Sequence, residues 1–477
     1  MTREASTLLI VHDAQGVFAG VGIHDPFAVP DVVRVLTLTQ IVPARVGRRT
    51  DGTYLVGAQL TDAEAQGEQL VIKSPIEDGR IEDWDAMKAL WNHVLAQLQV
   101  HPAHNTFFTM VGLPMPLPRE AAERTAQIFF EQLNTPALSI SEVPLLTAYA
   151  AGVLNALVVD VGAEETSVVA VSDCAVLPTT AVLSKLGTVH CTWWLAYLLT
   201  QDAAASRALE ALVQPDLTLS GLAYALAQVL VAEGHVRIEV ASKLPGTNEP
   251  EADDAAFDVA AALVEGREHD VVSQRKGAAQ AATSDDIIHV EFRGVQVPIG
   301  RVRARFHEPL LHPQLLERVK LDVPAPPAVG QALHARQIGG EPICVSVPDA
   351  IIMAAARVQP LERRMMLWEN VVVTGSMTRF KGLVPELLHA LTAYMINEQT
   401  ESAQLVGEPN PSQARDVRAL KVPEYFPAFK DRLDLLPYLG ANIYAKLVFN
   451  DLSGRNYISK MQYNDGGPSV AFAIGSG

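Results

Sequence analysis

The sequence predicts an α/β protein built from two similar halves. The run TLLIVHDAQGVFAGVG at 7–22 predicts a strand, a tight turn and a second strand. The run VVDVGAEETSVVAVS at 158–172 repeats this pattern about 150 residues later. Both hairpins are followed by helical patterns. Two hairpins of one design, each followed by helices, indicate a duplicated fold with two facing lobes.

Three helices are predicted between the two hairpins. Apolar residues at helical spacing occupy 84–98, and Asp83 precedes them as an N-cap. A second helix is predicted over 119–133, where Asn134 begins the Asn-Thr-Pro stop. A third covers 143–152 and ends at a glycine, as helices often do. The apolar stripes of these helices are interpreted as core.

Composition indicates a globular chain with room for two or more domains, because it has 477 residues of which 49% are hydrophobic. The net charge of −17 argues against broad or sequence-specific nucleic acid binding and favours basic protein partners. The longest apolar stretch, near 145–161, is interrupted by polar residues, so no membrane partner is expected.

Cysteine and histidine usage predicts neither disulfides nor a metal site. Cys174, Cys191 and Cys344 are odd in number and far apart, which favours a reducing compartment such as cytosol or nucleus. His101 and His104 lie in the loop VHPAHN without nearby partners, so a surface turn is predicted there.

Two segments have the composition of insertions. The segment 245–286 contains PGTNEPEADD, which is acidic and rich in turn formers, so a flexible loop is predicted. The segment 397–416, NEQTESAQLVGEPNPSQARD, is predicted to be a second surface insertion.

Five blocks in order point to a family. They are KSPIEDGRIEDWDAMKALWNHVL (73–95), FFEQLNTPALSISEVPLLTAYAAG (129–152), GRVRARFHEPLLHP (300–313), VVVTGSMTRFKGL (371–383) and YISKMQYNDGGPSV (457–470). These blocks resemble successive parts of actin, and the chain is identified as a member of the actin-related protein family. The resemblance runs over most of the chain and is weakest at 31–70, 200–285 and 397–416.

The resemblance implies an actin-like two-lobed fold around a cleft. Each lobe is expected to contain a ribonuclease-H-like mixed sheet with flanking helices. The first lobe is expected at 1–152, with 435–477 returning to it, and the second at 153–434. Within the family, VPEYFPAFK (422–430) and VAAALVEGREHDVVSQRK (259–276) resemble actin-related subunits of SWI/SNF- and RSC-type chromatin remodellers.

The first hairpin departs from the nucleotide-binding pattern of actin. The family has an aspartate, closely spaced glycines, a serine and a lysine there. This chain has His12 or Asp13 near the aspartate position, and Val17 and Phe18 where the phosphate-binding lysine is expected. Phe18 cannot replace an ammonium group that faces phosphates.

The second hairpin keeps Asp160 and Gly162 but has Ala163 where actin has its second aspartate. Glu164 replaces the following glycine, which places a carboxylate where backbone N–H groups meet phosphate. Like charges a few ångströms apart cost on the order of 1–4 kcal/mol. The preferred interpretation gives Asp160 and Gly162 only the role of a tight hairpin turn.

Other cleft groups of actin are also changed. Gly375 is kept in TGSMTRFKG, but Ser376 replaces the second glycine. Ser167 aligns with the histidine near the attacking water, and Val143 aligns with the water-positioning glutamine. The adenine-side Lys-Glu pair has no counterpart in SGLAYALAQVLVAEG (220–234), which predicts a buried helix.

These changes predict no catalytic residue, no metal ligand and no cofactor. Asp160, Gly162 and Gly375 are the remnant of the nucleotide cleft. ATP binding without hydrolysis is the alternative that the sequence leaves open.

The resemblance places the function on a groove between the first and third actin subdomains, which accepts amphipathic helices. The positions that align with the groove are mostly apolar or aromatic. They are Tyr149, Gly152, Cys174, Ala175, Tyr444, Leu447, Val448 and Phe449. Part of this set is equally compatible with core beneath the groove.

The expected function is that of a non-catalytic subunit in a nuclear chromatin-remodelling complex. The implied partners are the basic helicase-SANT-associated helix of the ATPase subunit, a second actin-related protein and other remodeller subunits. Two other classes stay open: a cytoskeletal actin-related protein, either filament-forming or capping a dynein-activating filament, and a nucleotide-binding ATPase.

Overall fold

A computed structural model describes residues 7–13, 16–21, 42–77, 79–214, 217–239, 287–335, 344–395, 416–424, 426–451 and 454–474. The predicted insertion at 245–286 lies outside the described residues. The same holds for the predicted insertion at 397–416, apart from Asp416, and for the turn of the first hairpin.

The described strands are short, and most are two to seven residues long. In chain order they are β1 (Thr7–Asp13), β2 (Gly16–Val21), β3 (Val42–Pro43), β4 (Val46–Arg48), β5 (Tyr54–Val56), β6 (Val71–Lys73), β7 (Ile76–Glu77), β8 (Arg80–Ile81), β9 (Phe108–Leu113), β10 (Ala137–Glu142), β11 (Ala156–Val161), β12 (Thr166–Ser172), β13 (Ala175–Ser184), β14 (Ile288–Phe292), β15 (Val295–Ile299), β16 (Val371–Thr374) and β17 (Ile458–Ser459).

Fifteen α-helices are described, most of them between these strands. They are α1 (Ala58–Ala65), α2 (Trp84–Gln97), α3 (Arg119–Gln127), α4 (Val143–Ala151), α5 (Thr188–Gln201), α6 (Ala203–Glu210), α7 (Leu219–Ala232), α8 (Glu308–Leu311), α9 (Pro327–Ala335), α10 (Val347–Ala356), α11 (Glu362–Glu369), α12 (Leu383–Thr392), α13 (Leu436–Phe449), α14 (Lys460–Gly466) and α15 (Val470–Ile474). No helix among the described residues is both long and apolar enough to cross a bilayer.

The chain divides into two compact units. The first comprises Met1–Thr188, Gly340–Arg379 and Leu391–Gly477, and the second comprises Val189–Gly339 and Phe380–Ala390. Both large sheets lie in the first unit, while the β14–β15 hairpin and helices α6 to α9 lie in the second. The lobe boundaries inferred from the sequence remain predictions.

The first large sheet is mixed, with strand order β17-β10-β9-β1-β2-β3. Strands β1, β9 and β10 run parallel, and β2 returns antiparallel to β1 with Val11 opposite Phe18. The strand-turn-strand predicted for 7–22 is therefore confirmed.

The second large sheet, of order β13-β12-β11-β16, is also mixed. β11 and β12 form the predicted second hairpin, with Asp160 opposite Ser167, and β16 joins β11 in parallel. Two mixed sheets, each beginning with a hairpin, confirm the predicted α/β class and the repeated design.

The predicted helices begin and end where their capping residues indicate. The Asp83 carboxylate accepts a hydrogen bond from the N–H of Ala86 at 2.9 Å, which caps α2. Gly152 ends α4 at φ +73°, a left-handed conformation that glycine adopts without strain. Thr218 caps α7, which occupies the segment predicted as a buried helix.

The helix predicted over 119–133 differs in its last turn. α3 ends at Gln127 and continues as one π-helical turn, Ile128–Gln132, before Asn134 takes a positive φ. The wider turn keeps consecutive apolar residues buried: Phe129 packs against Trp91, and Phe130 stacks on Tyr463.

Helices α4 and α13 pack against each other in a core that also contains residues of both large sheets. Gly440 makes this close packing possible, because a Cβ there would overlap the Leu146 carbonyl and crowd the Ala150 nitrogen. α4 carries the groove residue Tyr149, and α13 carries Tyr444 and Leu447. Five of the predicted groove residues therefore belong to a tightly packed pair of helices: Tyr149, Tyr444, Leu447, Val448 and Phe449.

Candidate functional site

The side chain of His12 is buried in the core. Only 1% of the residue is exposed, and Nε2 accepts a hydrogen bond of 2.8 Å from the indole N–H of Trp91. Burial lowers the pKa of His12 to about 3, so the imidazole is neutral at neutral pH. Because Trp91 can only donate, the proton of the neutral ring is on Nδ1. His12 therefore does not stand in for the metal-binding aspartate of actin.

The two residues at the expected lysine position are part of the hydrophobic core. Val17 is fully buried and packs with the residues of α2. Phe18 is 6% exposed and packs with Leu9, Val11 and Met110. The alternation of a β-strand sends these two neighbours to opposite faces of the sheet, and each face is apolar. The first hairpin thus offers no ammonium group at this position.

The turn between β11 and β12 is held by neighbouring chain segments. The N–H of Gly162 donates to the carbonyl of Glu165 at 2.9 Å. The carbonyl of Gly162 in turn accepts from Thr188, through the N–H at 3.1 Å and through Oγ1 at 3.3 Å. A Cβ at Gly187 would come within 2.6 Å of the carbonyls of Ala163 and Gly162, so only glycine fits there.

Gly375 closes onto the same turn. It has φ +93°, and a Cβ there would collide with the Asp160 carboxylate and the Val161 carbonyl. The hydroxyl of Ser376 lies 3.1 Å from Oγ1 of Thr188 and 3.5 Å from the Val161 carbonyl oxygen. The structure therefore brings the sequence-predicted residues Asp160, Gly162 and Gly375 together. Their close backbone contacts are those of interlocked turns.

A cavity of about 230 Å³ adjoins these turns. Its volume is below the range of about 300–1,000 Å³ that is common for small-molecule sites. Its polar lining includes His12, Asp160, Glu165 and Ser167, and its apolar lining includes Val143. No lysine or arginine is among the lining residues that the structure describes. The cavity thus presents two carboxylates to any anionic ligand and no described cation.

The residue that aligns with the water-positioning glutamine of actin lies in the core. Val143 is 6% exposed, opens α4 and packs in the core between the sheets. Its carbonyl accepts a hydrogen bond from the hydroxyl of Thr147 at 2.9 Å. Within the described part of the chain, no cluster of three or more potential metal ligands is present.

The groove residues differ in exposure. Leu447 is 58% exposed, Tyr149 and Tyr444 are half-buried, and Val448 is only 2% exposed. Val448 is therefore a core residue, while Leu447 lies on the surface of α13. The remaining predicted members are exposed or half-buried and belong to the surface. They are Gly152, Cys174, Ala175 and Phe449.

An aromatic pair joins the two packed helices at the positions predicted to line the groove. The rings of Tyr149 and Tyr444 are tilted at 45° with centroids 5.0 Å apart. Burial, together with a hydrogen bond to Cys174, raises the pKa of the Tyr149 hydroxyl. Contact between Tyr149 and Cys174 brings the turn that joins β12 and β13 against α4.

A second aromatic cluster adjoins α13. Phe449 meets Phe108 edge to face at 5.4 Å and Tyr457 at 5.6 Å. Phe449 therefore has a fixed position, set by residues that are distant in the sequence.

Two residues were not predicted from the sequence: Leu154, which is on the surface, and Lys185, which lies near the cleft. Leu154 is 58% exposed, and its carbonyl accepts from the N–H of Cys174 at 3.1 Å, so Leu154 lies beside the groove. Its position two residues after the helix-ending Gly152 was the available signal. Lys185, whose ammonium lies 2.9 Å from the Glu165 carboxylate, had no signal, because 20 residues separate the partners.

Comparison with known proteins gives the same family over nearly the whole chain. The family model described as Actin matches residues 30–471. The chain is similar to the protein named SWI/SNF and RSC complexes subunit arp9 of Schizosaccharomyces pombe. The two are 26% identical over 432 residues, which cover 83% of this chain and 78% of that protein.

Other relatives match over shorter regions. Actin-related protein 4 of Oryza sativa subsp. indica is 31% identical over 140 residues, or 29% of this chain and 30% of that protein. Centractin of Saccharomyces cerevisiae is 34% identical over 140 residues, or 29% of this chain and 36% of that protein.

These matches bear out what the sequence blocks indicated. The sequence resemblance extended, within the family, to actin-related protein 9 of SWI/SNF- and RSC-type remodellers, and the arp9 match confirms that resemblance. The two mixed sheets and the family match together confirm the actin-like α/β fold class. The chain belongs to the actin family.

Proposed function

We propose that this chain is a non-catalytic, nuclear subunit of a SWI/SNF- or RSC-type chromatin-remodelling complex. Its task is to bind the basic helicase-SANT-associated helix of the ATPase subunit, next to a second actin-related protein, and so to stabilise or regulate the remodeller. The observation that carries the proposal is the partly exposed apolar surface of α4 and α13, where Leu447 is 58% exposed and the rings of Tyr149 and Tyr444 pack together.

The groove has the chemistry that an amphipathic helix requires. Leu154 and Leu447 are both 58% exposed, and the rings of Tyr149 and Tyr444 lie between α4 and α13. Such a surface buries the apolar side of a helix through anchors at helical spacing. Full burial of one leucine side chain contributes about 1.5–3 kcal/mol.

The net charge of −17 suits a basic helix. Long-range attraction of this kind mainly raises the association rate and the discrimination against acidic partners. Salt screens this attraction. The Debye length is about 8 Å at physiological ionic strength and becomes shorter as salt is added. We therefore expect added salt to slow association more than it speeds dissociation.

The cleft supports a non-catalytic assignment. Phe18 lies in the core where a phosphate-binding lysine is expected, and Val143 replaces the water-positioning side chain. The cavity beside Asp160 is small and is lined by carboxylates. These residues do not fit a nucleoside triphosphate with its metal ion.

The direct test is a titration of the full chain with a fluorescent helicase-SANT-associated peptide. Leu447→Asp and Tyr444→Asp are expected to weaken binding at least about tenfold, because a charged group would have to be buried. Val71→Asp is the matched control: Val71 is 59% exposed but lies on β6, outside the groove. Equal affinity of the Leu447 and Val71 variants would remove the groove assignment.

Two further measurements address the other classes. Sedimentation with and without ATP detects a filament, and an ATP hydrolysis assay detects an enzyme. We expect no pelleting and no turnover in either case. The arp9 match covers 83% of the chain whereas the centractin match covers 29%, which favours the remodeller proposal. Actin-like ATP turnover that is abolished by Asp160→Ala would overturn the non-catalytic assignment.

A further inference from the structure

The two helices that carry most of the predicted groove bring almost no charge to it. Helix α4 contains no charged residue, and α13 contains one, Lys446. A carboxylate is supplied by the two-residue turn between β12 and β13, which consists of Asp173 and Cys174. The Cys174 thiol contacts Tyr149, and its N–H donates to the carbonyl of the exposed Leu154 at 3.1 Å. Asp173 is therefore the immediate neighbour of a groove residue.

The backbone of Asp173 is held in place by Asn155. The N–H of Asp173 donates to Oδ1 of Asn155 at 3.0 Å, and the same oxygen accepts from the hydroxyl of Ser172 at 3.0 Å. The side-chain amide of Asn370 donates to the carbonyl of Asn155 at 3.1 Å, which ties the turn to the segment before β16. A fixed backbone allows the Asp173 carboxylate to bind a partner without the cost of ordering a loop.

The carboxylate of Asp173 is exposed and is paired with an arginine of the same chain. The side chain is 66% exposed, and Oδ2 lies 2.9 Å from Nη2 of Arg363. Nη1 of Arg363 donates to the hydroxyl of Ser172 at 2.8 Å. Exposed ion pairs contribute little to stability. Arg363 can therefore release the carboxylate at small cost, and it keeps its hydrogen bond to Ser172.

We infer that Asp173 binds a basic residue of the partner helix, and that Arg363 takes the place of this residue in the unbound chain. The inference rests on the proposed function and names the acidic contact at its docking surface. A lysine or arginine of the helix replaces Arg363 on the carboxylate when the apolar side of the helix packs against Leu154 and Leu447. The bound helix shields the new pair from water, which strengthens it relative to the surface pair that it replaces.

The test is the fluorescence titration of the full chain with the helicase-SANT-associated peptide. Asp173→Asn is expected to weaken binding about five- to tenfold at low salt, and less at high salt because salt screens the pair. Asparagine tolerates the φ of +52° at this position, so the turn should remain folded. Asp173→Gly also suits this φ and should give the same loss. Thermal unfolding shows whether each variant is folded.

Arg363→Gln distinguishes exchange from support. Glutamine can still donate to the Ser172 hydroxyl, but it carries no charge to compete for the carboxylate. We expect the peptide to bind about two- to threefold more tightly to this variant at low salt. Weaker binding would mean that Arg363 positions Asp173 for the helix, and it would overturn the exchange.

The matched control is the exposed ion pair of Arg45 and Glu64, which joins the segment before β4 to α1, with N and O 2.7 Å apart. Arg45→Gln and Glu64→Gln change the net charge by the same amounts as the two test variants. Neither should change the affinity by more than about twofold. Effects as large as those of the test variants would show that only the total charge matters, and they would overturn the inference.

A double-mutant cycle identifies the helix residue that binds Asp173. Each basic residue of the peptide is replaced by glutamine in turn, and each peptide is titrated against the wild-type chain and against Asp173→Asn. One replacement should weaken binding to the wild type about fivefold and have no further effect on the variant. Additive losses for every peptide would overturn the inference and leave the proposed function in place. Absence of peptide binding to the wild-type chain would overturn both.

Discussion

Trp91 donates the hydrogen of its indole nitrogen to Nε2 of His12 at 2.8 Å, and the two rings meet edge to face with centroids 5.9 Å apart. Within the described chain, Nδ1 of His12 has no hydrogen-bond partner. This pair places a titratable ring in the core, at one of the two positions, His12 and Asp13, that align near the cleft aspartate of actin.

Acid is expected to destabilise the protein through His12. Its pKa is lowered to about 3 in the folded chain and is 6.5 in the unfolded one. Between these values the unfolded state binds a proton and the folded state does not, so stability falls as the pH drops from 6.5 toward 3. The slope approaches about 1.4 kcal/mol per pH unit.

The measurement is urea unfolding at several pH values between 7.5 and 4.5. His12→Gln still accepts from Trp91 but does not titrate, so it should flatten the dependence. His104→Gln, at an exposed histidine, should keep it. Identical pH profiles for the His12 variant and the wild type would contradict the assignment.

Gly440→Ala is expected to destabilise the first unit by about 1–3 kcal/mol or more. The new Cβ would overlap the Leu146 carbonyl and force α4 and α13 apart. Gly330→Ala is the matched control, because Gly330 also lies in a helix but a Cβ added there would meet nothing within 4 Å. The control should be neutral or stabilised by up to about 1 kcal/mol. Thermal unfolding of both variants decides.

Asp434→Ala is expected to cost roughly 2–3 kcal/mol. The carboxylate is 2% exposed and binds Arg432 through two hydrogen bonds of 2.8 Å and Arg379 through one of 3.0 Å. Removing the carboxylate leaves the guanidinium groups of Arg379 and Arg432 close together without their shared anion. Removing one partner of a fully buried ion pair usually costs about 3–5 kcal/mol of stability, and the cost is lower here because both arginines are partly exposed.

The same carboxylate gives a pH signature. Burial raises the pKa of Asp434, but the hydrogen bonds and charges of Arg432 and Arg379 outweigh burial and lower it overall. Its stabilisation is present above the ordinary value of 3.8 and is lost as the pH falls below it. Glu123→Ala, in an exposed pair with Arg119, should change stability by less than about 0.5 kcal/mol. Equal losses in the two variants would refute the role of Asp434.

Cys174→Gly is expected to stabilise the fold by about 0.5–1 kcal/mol and yet to weaken binding of the partner helix. Asp173 and Cys174 form the two-residue turn between β12 and β13 with φ of +52° and +61°, where glycine is favoured. The thiol contacts Tyr149 in the groove. In Cys174→Gly the melting temperature should rise while the affinity for the peptide falls, and both are measured on the same sample. The control Cys174→Ser should not gain stability.

Leu154→Asp is expected to weaken helix binding without lowering the melting temperature, because 58% of the leucine is exposed. The fluorescence titration described above measures this effect, with Val71→Asp as the control. A loss of melting temperature would show that Leu154 supports the fold instead.

Local sequence was sufficient for the hairpins and helices. Hydrophobic periodicity and helix caps such as Asp83 and Gly152 depend on residues that are close together in the sequence. Short-range rules therefore predict where these helices begin and end. That Phe18, and not a lysine, stands at the position expected for the phosphate-binding lysine is an interpretation of the sequence that does not depend on packing.

The parts that sequence could not predict depend on long-range packing. A shift of one residue decides whether His12 or Asp13 faces the core, and only the pairing of β1 with β2 fixes that choice. The burial of Val448 beside the exposed Leu447 depends on where α4 crosses α13. The contact of Lys185 with Glu165 requires the registry of two strands.

The exposure of the leucines near α4 and α13 has a consequence for the abundance of this protein in a cell. Leu154 and Leu447 keep more than half of their surface in water. Under the proposed function, molecules produced in excess of the partner helix would keep these leucines exposed and would be prone to aggregation or to recognition by chaperones. The proposal therefore predicts that the abundance of the chain follows the supply of its binding partner.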